Sequence, residues 1–244
     1  MNEPFLRPSN NLKLLEHNFT HKHRKVLFWV RFGFVFGTVL FTLVNSVFGL
    51  LIPSDSVPCV KDYLLDWTEE LNTYFRENEP ERHTLLIVSS LLVDVLLLHF
   101  LVKYLIWGDS WQEPFFIVSF FAFRYCIQQL FHLKYPEGFI WDYPGFPSFA
   151  IPYFESSDFF FSGHVGIVSF CALFNYKTKS KLMTVLSVLA VALEFFAMMV
   201  LRTHYTIDLV CGILFAHYFW ILSGQVSAYV DAKTGYKKTY NRNF

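Results

Sequence analysis

The chain has 244 residues, of which 54% are hydrophobic, 20% aromatic and only 16% charged. That is too apolar for an ordinary soluble domain of this length. Twenty basic residues balance twenty acidic ones, so no global field selects an acidic partner, and no nucleic-acid partner is expected.

Residues 1–25 are polar, which does not fit a cleaved signal peptide, so the first apolar segment is expected to remain in the mature protein. Hydrocarbon about 30 Å thick calls for roughly 20 apolar residues at helical rise. Six segments meet or approach that length: 26–52, 84–107, 114–133, 162–176, 182–201 and 206–223. The fourth is the shortest, because Asn175 and Tyr176 end it unless the Phe159-Phe160-Phe161 run extends it. The connections carry the expected breakers: Pro53 and Pro58, Gly108, Pro114, and the Lys177-Thr178-Lys179-Ser180-Lys181 loop. The fold class expected is all-α, a polytopic integral membrane protein of about six transmembrane helices, as one membrane domain over 1–244.

Orientation follows from the Lys and Arg bias of short flanks. With six spans, the His21-Lys22-His23-Arg24-Lys25 stretch, the lysine loop and the basic tail 225–244 (Lys233, Lys237, Lys238, Arg242) share one side, expected to be cytoplasmic along with both termini. The loop 53–83 falls on the other side and carries eight acids against three bases. Amphipathic spacing around Tyr63, Leu64, Trp67, Leu71 and Phe75 predicts a short surface helix there, with a face that could dock a membrane partner. The stretch from Lys134 to Phe161 is rich in aromatics and prolines, which suits the membrane interface. Trp141, Tyr143, Phe146 and Tyr153 in it read either as an interfacial belt or as a cage for a quaternary ammonium. The four cysteines, Cys59, Cys126, Cys171 and Cys211, have no metal-ligand spacing and imply neither a disulfide framework nor a metal.

The chemistry-bearing strings are Asp158-Phe-Phe-Phe-Ser-Gly-His164 and Arg202-Thr-His204-Tyr-Thr-Ile-Asp208. Each puts a histidine at a membrane boundary on the non-cytoplasmic side. His204 and Asp208 are four residues apart, so on a helix start they share a face and the carboxylate can accept one imidazole N–H. The other nitrogen is then available as a nucleophile. His164 at a second helix start can protonate a leaving alkoxide, and Ser162 and Gly163 let backbone N–H groups approach a phosphate there. These parts describe two-step phosphoryl transfer through a phosphohistidine, with no metal or cofactor required.

The Phe-Phe-Phe-Ser-Gly-His and His-Tyr-Thr-Ile-Asp strings, with the aromatic loop before them, resemble the sphingomyelin synthases and the plant phosphatidylcholine:diacylglycerol cholinephosphotransferases of the type-2 phosphatidic acid phosphatase superfamily. The resemblance is closest over 120–215, which is expected to be the catalytic region. It implies head-group exchange at the lumenal or exoplasmic leaflet of an ER or Golgi membrane, with membrane lipids as substrates. It also implies His204 as nucleophile, Asp208 as its orienting acid, His164 as the leaving-group partner, and Asp158 as an acid that could meet a cationic head group. Two departures stand out. The superfamily's arginine six residues before the second histidine is Met198 here, with Arg202 two before, and the usual lysine-plus-arginine first motif is not evident. The phosphate-binding cation is therefore sought among Arg202, Lys134 and Arg124, in that order, Arg124 ranking last because it falls near the middle of the third span.

Intramembrane charges cost about 2.5–3.5 kcal/mol each at a helix centre, so Asp94, Arg124 and Glu194 need partners, and an Arg124 pairing with Asp94 or Glu194 is one expectation. Arg31 is expected to snorkel to the interface. The function expected is transfer of phosphocholine or a similar head group from a phospholipid to diacylglycerol or ceramide. The alternatives are a catalytically idle structural subunit, docking through the 53–83 loop, and a lipid phosphate phosphatase with water as acceptor. A mitochondrial membrane is the alternative location, and the lack of a basic amphipathic presequence in residues 1–25 counts against it.

Overall fold

The computed structural model describes residues 25–41, 44, 60, 62–151, 153 and 159–233. Eight helices are seen among them: α1 (25–41), α2 (Tyr63–Trp67), α3 (Glu69–Glu77), α4 (Glu79–Trp107), α5 (Gln112–Leu130), α6 (Gly163–Lys177), α7 (Lys181–Val200) and α8 (Thr206–Lys233). No strand occurs among the described residues. The boundaries have local causes. Pro80 stands in the first turn of α4, where its missing N–H costs nothing, and Gly108 closes that helix with its N–H on the Tyr104 carbonyl at 2.8 Å. Ser162 caps α6 by accepting from the Val165 N–H at 3.4 Å.

Three helices, α4, α7 and α8, are long and apolar enough to cross a membrane, against the six spans expected. The shortfall has physical reasons. At 15 residues, α6 is about 22 Å long, running only from the Ser-Gly-His string to the lysine loop. Its neighbour α5 carries Gln112, Glu113, Arg124, Gln128 and Gln129 within its 19 residues, which lowers its mean hydropathy. Most of residues 42–52, the second half of the first expected span, lies outside the described residues, as do 53–59 of the acidic loop.

The five long helices alternate in direction, and side-chain bonds fix which ends lie together. At one end, Lys103 Nζ donates to Thr178 Oγ1 at 2.8 Å, Lys177 Nζ pairs with Glu113 Oε1 at 2.6 Å, and Ser110 Oγ donates to Asp231 Oδ2 at 2.9 Å. The starts of α4, α6 and α8 therefore gather at the opposite end. The centre of the bundle is α6, which packs on α7, α8 and α4. Its core is built of aromatic rings: Phe170 stacks on Phe116 at 4.5 Å and meets Phe100 edge-on at 4.8 Å. Such pairs add about 0.5–1.5 kcal/mol each beyond area burial, which matters where lipid contributes little hydrophobic drive between helices. The outward faces are apolar too, with Leu91, Val95, Leu98 and Val102 exposed along α4 and Leu214, Tyr218 and Ile221 along α8.

Several expectations are corrected. The acidic loop forms two short helices in place of one, and they bury Leu65 and Asn72, while Tyr63, Trp67 and Leu71 of the apolar spacing face outward. Arg31 does not reach water: it is buried, with its guanidinium carbon 5.4 Å over the Tyr104 ring. The pairing of Arg124 with Asp94 or Glu194 is replaced by separate arrangements. Asp94 accepts from Ser148 Oγ and the Phe149 and Ala150 N–H groups, Glu194 accepts from Ser89 Oγ at 2.5 Å, and Arg124 donates to the Phe161 carbonyl and to Gln128.

Candidate active site

Two helix starts meet at one end of the bundle, and a single carboxylate joins them. Asp208, fully buried in the first turn of α8, accepts from the Tyr205 N–H at 3.2 Å and lies 3.4 Å from His204 Nδ1 through the same oxygen. Its other oxygen accepts from the Phe160 N–H at 3.2 Å, and its backbone carbonyl accepts from the Ser162 N–H at 2.9 Å. Asp208 thus orients the histidine of its own string and holds the main chain of the other. The α6 start can lie this close because residue 212 is glycine: a Cβ there would stand 2.8 Å from the Ser162 carbonyl oxygen and 3.4 Å from the Gly166 nitrogen. Nothing about Gly212 in the sequence marked it, beyond its position one turn after Asp208.

The two imidazoles face one another with ring centroids 6.5 Å apart. His204 is buried, with the edge of Phe159 against it, and His164 is half-buried with Trp141 at 5.6 Å. Ser162 and Gly163 open α6 beside this pair. The helix dipoles of α6 and α8 both present their positive ends here.

The three candidate cations part company. Arg124 is the one at the α6 start: a Cβ on Gly163 would lie 3.3 Å from its Nε and 3.4 Å from its Cζ. It reaches this depth because α6 begins deep in the bundle, so a position in the body of α5 is level with the histidines. Arg202 is buried and engaged elsewhere, with Nη1 on the Glu137 carbonyl at 2.5 Å and Nη2 on the Leu65 carbonyl at 2.8 Å and on the Glu69 carboxylate. Its backbone is left-handed, φ +54°, at the turn that ends α7, a conformation glycine usually supplies. The side-chain bonds offset that conformational cost. Lys134 has an exposed side chain, and its carbonyl accepts from Tyr205 Oη at 2.9 Å. Asp158 lies outside the described residues. Met198, where the resemblance called for an arginine, lies in one buried cluster with Val165, Ala197 and Leu209, so that spot is apolar in this chain.

Residues unmarked by the sequence frame the site from α2 and α3. Asp62 caps α2 through the Leu64 N–H at 3.1 Å and also accepts from the Thr206 N–H at 2.7 Å and Thr206 Oγ1 at 2.9 Å, so one carboxylate serves two helix starts. Asn72 donates to the Gly138 carbonyl at 2.9 Å and the Val200 carbonyl at 2.8 Å. Beside the His204 string, Val60, Asp62, Tyr63, Tyr205, Thr206, Ile207 and Val210 line an open groove of about 370 Å³. Farther out, Asp142 ties the aromatic loop to α4 through Arg82 at 2.9 Å and His83 at 3.1 Å. Burial by itself raises the Asp142 carboxyl, but those two hydrogen bonds outweigh it and hold the group below its ordinary value. Among the described residues no three His, Cys, Asp or Glu side chains come together as a metal site.

A family model described as AtPDCT1/2, the phosphatidylcholine:diacylglycerol cholinephosphotransferase family, matches residues 61–225. The matched stretch extends well before residue 120 and takes in α2 and α3, whose Asp62 and Asn72 frame the site. No curated protein and no solved structure matches the chain. The match covers more than half of the 244 residues, and the chain belongs to the AtPDCT1/2 family.

Proposed function

We propose that the protein is a membrane phosphotransferase that moves phosphocholine from phosphatidylcholine to diacylglycerol through a phosphohistidine on His204. The observation that carries this is the 6.5 Å approach of the two imidazoles, one of them in contact with a buried carboxylate.

His204 holds its Nδ1 proton toward Asp208, leaving Nε2 to attack phosphorus. As the N–P bond forms, the P–O bond to the diacylglycerol oxygen breaks, and His164, protonated at the start, gives its proton to that oxygen. The first diacylglycerol leaves. A second one enters, His164 takes the proton of its free hydroxyl, that oxygen attacks phosphorus, and the N–P bond breaks. Head group and glycerol backbone are exchanged with no net proton change. The Arg124 guanidinium and the N–H groups opening α6 hold the phosphoryl oxygens, where the helix dipole adds to the attraction. Ser162 and Gly163 serve that cradle; Arg202 shapes it from behind by fixing the turn before His204.

The same reading keeps six spans, with α1, α5 and α6 completing the set begun by α4, α7 and α8, and the site on the non-cytoplasmic side with the termini opposite. Support comes from the alternating directions of the helices and from the gathering of basic residues at the end away from the histidines. The region 120–215 carries the chemistry, and 62–78 forms a brace over it.

The test is transfer of labelled phosphocholine from phosphatidylcholine in proteoliposomes, with diacylglycerol, ceramide or water as acceptor. Transfer to diacylglycerol, lost by at least about a thousandfold in His204→Ala, is the expected result. A wild type inactive with all three acceptors would sink the proposal.

A further inference from the structure

Glu194 is the buried ionisable group the mechanism leaves unused. It sits two turns before the end of α7 with no exposure, takes one hydrogen bond from Ser89, and its second oxygen, Oε2, has no hydrogen-bond partner among the described residues. A carboxylate in that state lacks a counter-charge, and burial makes the lack costly. Next to it stands an aromatic pair. Trp141 and Tyr153 lie with ring centroids 5.3 Å apart, both half-buried, and Tyr153 Oη donates to the Leu86 carbonyl at 3.3 Å, three residues before Ser89 on α4. Tyr153 lies within electrostatic reach of Glu194 and of Asp94. Trp141 also meets His164, with ring centroids 5.6 Å apart.

The neighbourhood therefore has a charge direction. Arg124 and the N-termini of α6 and α8 lie on the Gly163 side, with Asp208 joining the two helix starts, while Glu194 and Asp94 are acids within electrostatic reach of Tyr153 on the other. A phosphocholine head group has the same polarity, a phosphate anion joined by two carbons to a quaternary ammonium. We propose that Trp141 and Tyr153 receive the ammonium of the donor head group on their faces, with Glu194 as its buried counter-charge. This rests on the reading that the histidine pair transfers phosphocholine from a phospholipid, and it adds the residues that select the head group. A quaternary ammonium has no N–H to donate, so recognition by ring faces and an unbonded carboxylate suits it better than a ring of hydrogen-bond acceptors. The half-satisfied Glu194 fits that role.

The experiment compares two short-chain donors with the solubilised full chain: dihexanoyl-phosphatidylcholine, and the uncharged isostere in which a carbon replaces the nitrogen (a 3,3-dimethylbutyl head group). Binding is read from ligand-dependent thermal stabilisation, and transfer to diacylglycerol is read in parallel. Wild type is expected to prefer the charged donor by about tenfold, within the range of desolvated cation–π contacts. Glu194→Gln, an isosteric change that keeps the Ser89 contact, should reduce the preference to about twofold or less while leaving affinity for the isostere unchanged. Tyr153→Phe should keep the preference and Tyr153→Leu should lose most of it, separating a ring face from a hydroxyl. His204→Ala should abolish transfer with the binding preference intact. Equal binding of the two donors by wild type, or a preference that survives Glu194→Gln, overturns the subsite whatever the transfer assay shows. A preference that Glu194→Gln removes in a wild type with no transfer would keep the subsite and discard the transfer reading.

Discussion

The two ends of the helix bundle are held by different kinds of bond. Away from the histidines, side chain meets side chain in Lys177 with Glu113, Lys103 with Thr178 and Ser110 with Asp231, beside two main-chain ties, the Trp111 N–H to Asp231 and Gln112 to the Trp220 carbonyl. At the histidine end, charged and amide side chains reach mostly for main chain: Asp208 for Phe160 and Tyr205, Asp62 for Thr206, Asn72 for Gly138 and Val200, Arg202 for Glu137 and Leu65, Arg124 for Phe161. A bond between two long side chains tolerates small shifts, because both can re-rotamer. A bond to a carbonyl or an N–H fixes the backbone of the partner, and a site that must hold reacting atoms within fractions of an ångström needs that.

The comparison predicts that damage at the two ends will look different. The largest effect expected is from Asp208→Asn, which keeps shape but removes the charge that orients His204; phosphocholine transfer should fall by about 10³–10⁴. Retained transfer would break the argument that this carboxylate sets the imidazole. Gly212→Ala adds one methyl group against the Ser162 carbonyl and should displace the α6 start, costing about a hundredfold in transfer, measured at saturating donor. Were Gly212→Ala fully active, close approach of α8 to that carbonyl would not matter to the site.

Smaller and different in kind is Lys177→Met at the other end. It leaves Glu113, only 3% exposed, without its cation, and should lower stability by about 1–3 kcal/mol, read as a drop in Tm in detergent. Transfer per folded molecule should stay within about twofold of wild type, and the added Glu113→Gln change should recover most of the Tm. The smallest effect is the pH dependence of the Asp142 tie. Its carboxyl is lowered in the folded state, so its stabilising contribution is complete above the ordinary value of 3.8 and is lost as pH falls through the lower folded value. Asp142 is partly exposed, so solvent screening keeps the contribution small. Tm measured against pH should therefore converge for wild type and Asp142→Asn at the acid end, and differ above it. Curves that stay parallel throughout would remove Asp142 from the account.

Much of this molecule was legible along the chain. Starts and stops of α5, α6 and α7 fall within three residues of the expected spans, since apolar length and breakers such as Gly108 and Pro114 are local signals, whereas α4 begins five residues earlier and α8 runs ten residues further than expected. The contact of His204 with Asp208 was expected from their spacing on a helix start, but His204 stands in the bend two residues before α8 begins, so the turn and not a shared helix face brings the two together. The places of the cations were not legible. Arg124 ranked last because depth was read from its place within a single span, whereas in the fold its guanidinium lies at the start of α6. Arg202 ranked first because it adjoins His204 in sequence, yet the left-handed turn carries its side chain toward α2 and α3.

By itself, then, the sequence determined a helical, membrane-length chain and the two histidine strings, because hydrophobic length and i,i+4 spacing act over one or a few turns. Tertiary structure alone decided the rest. Asp62 caps a helix 144 positions away, Asn72 holds a carbonyl 128 positions away, and Glu194 stands buried behind the aromatic loop with one oxygen unbonded. Such partners are chosen by how helices pack, and packing depends on the shapes of all the neighbours at once, which no local period records.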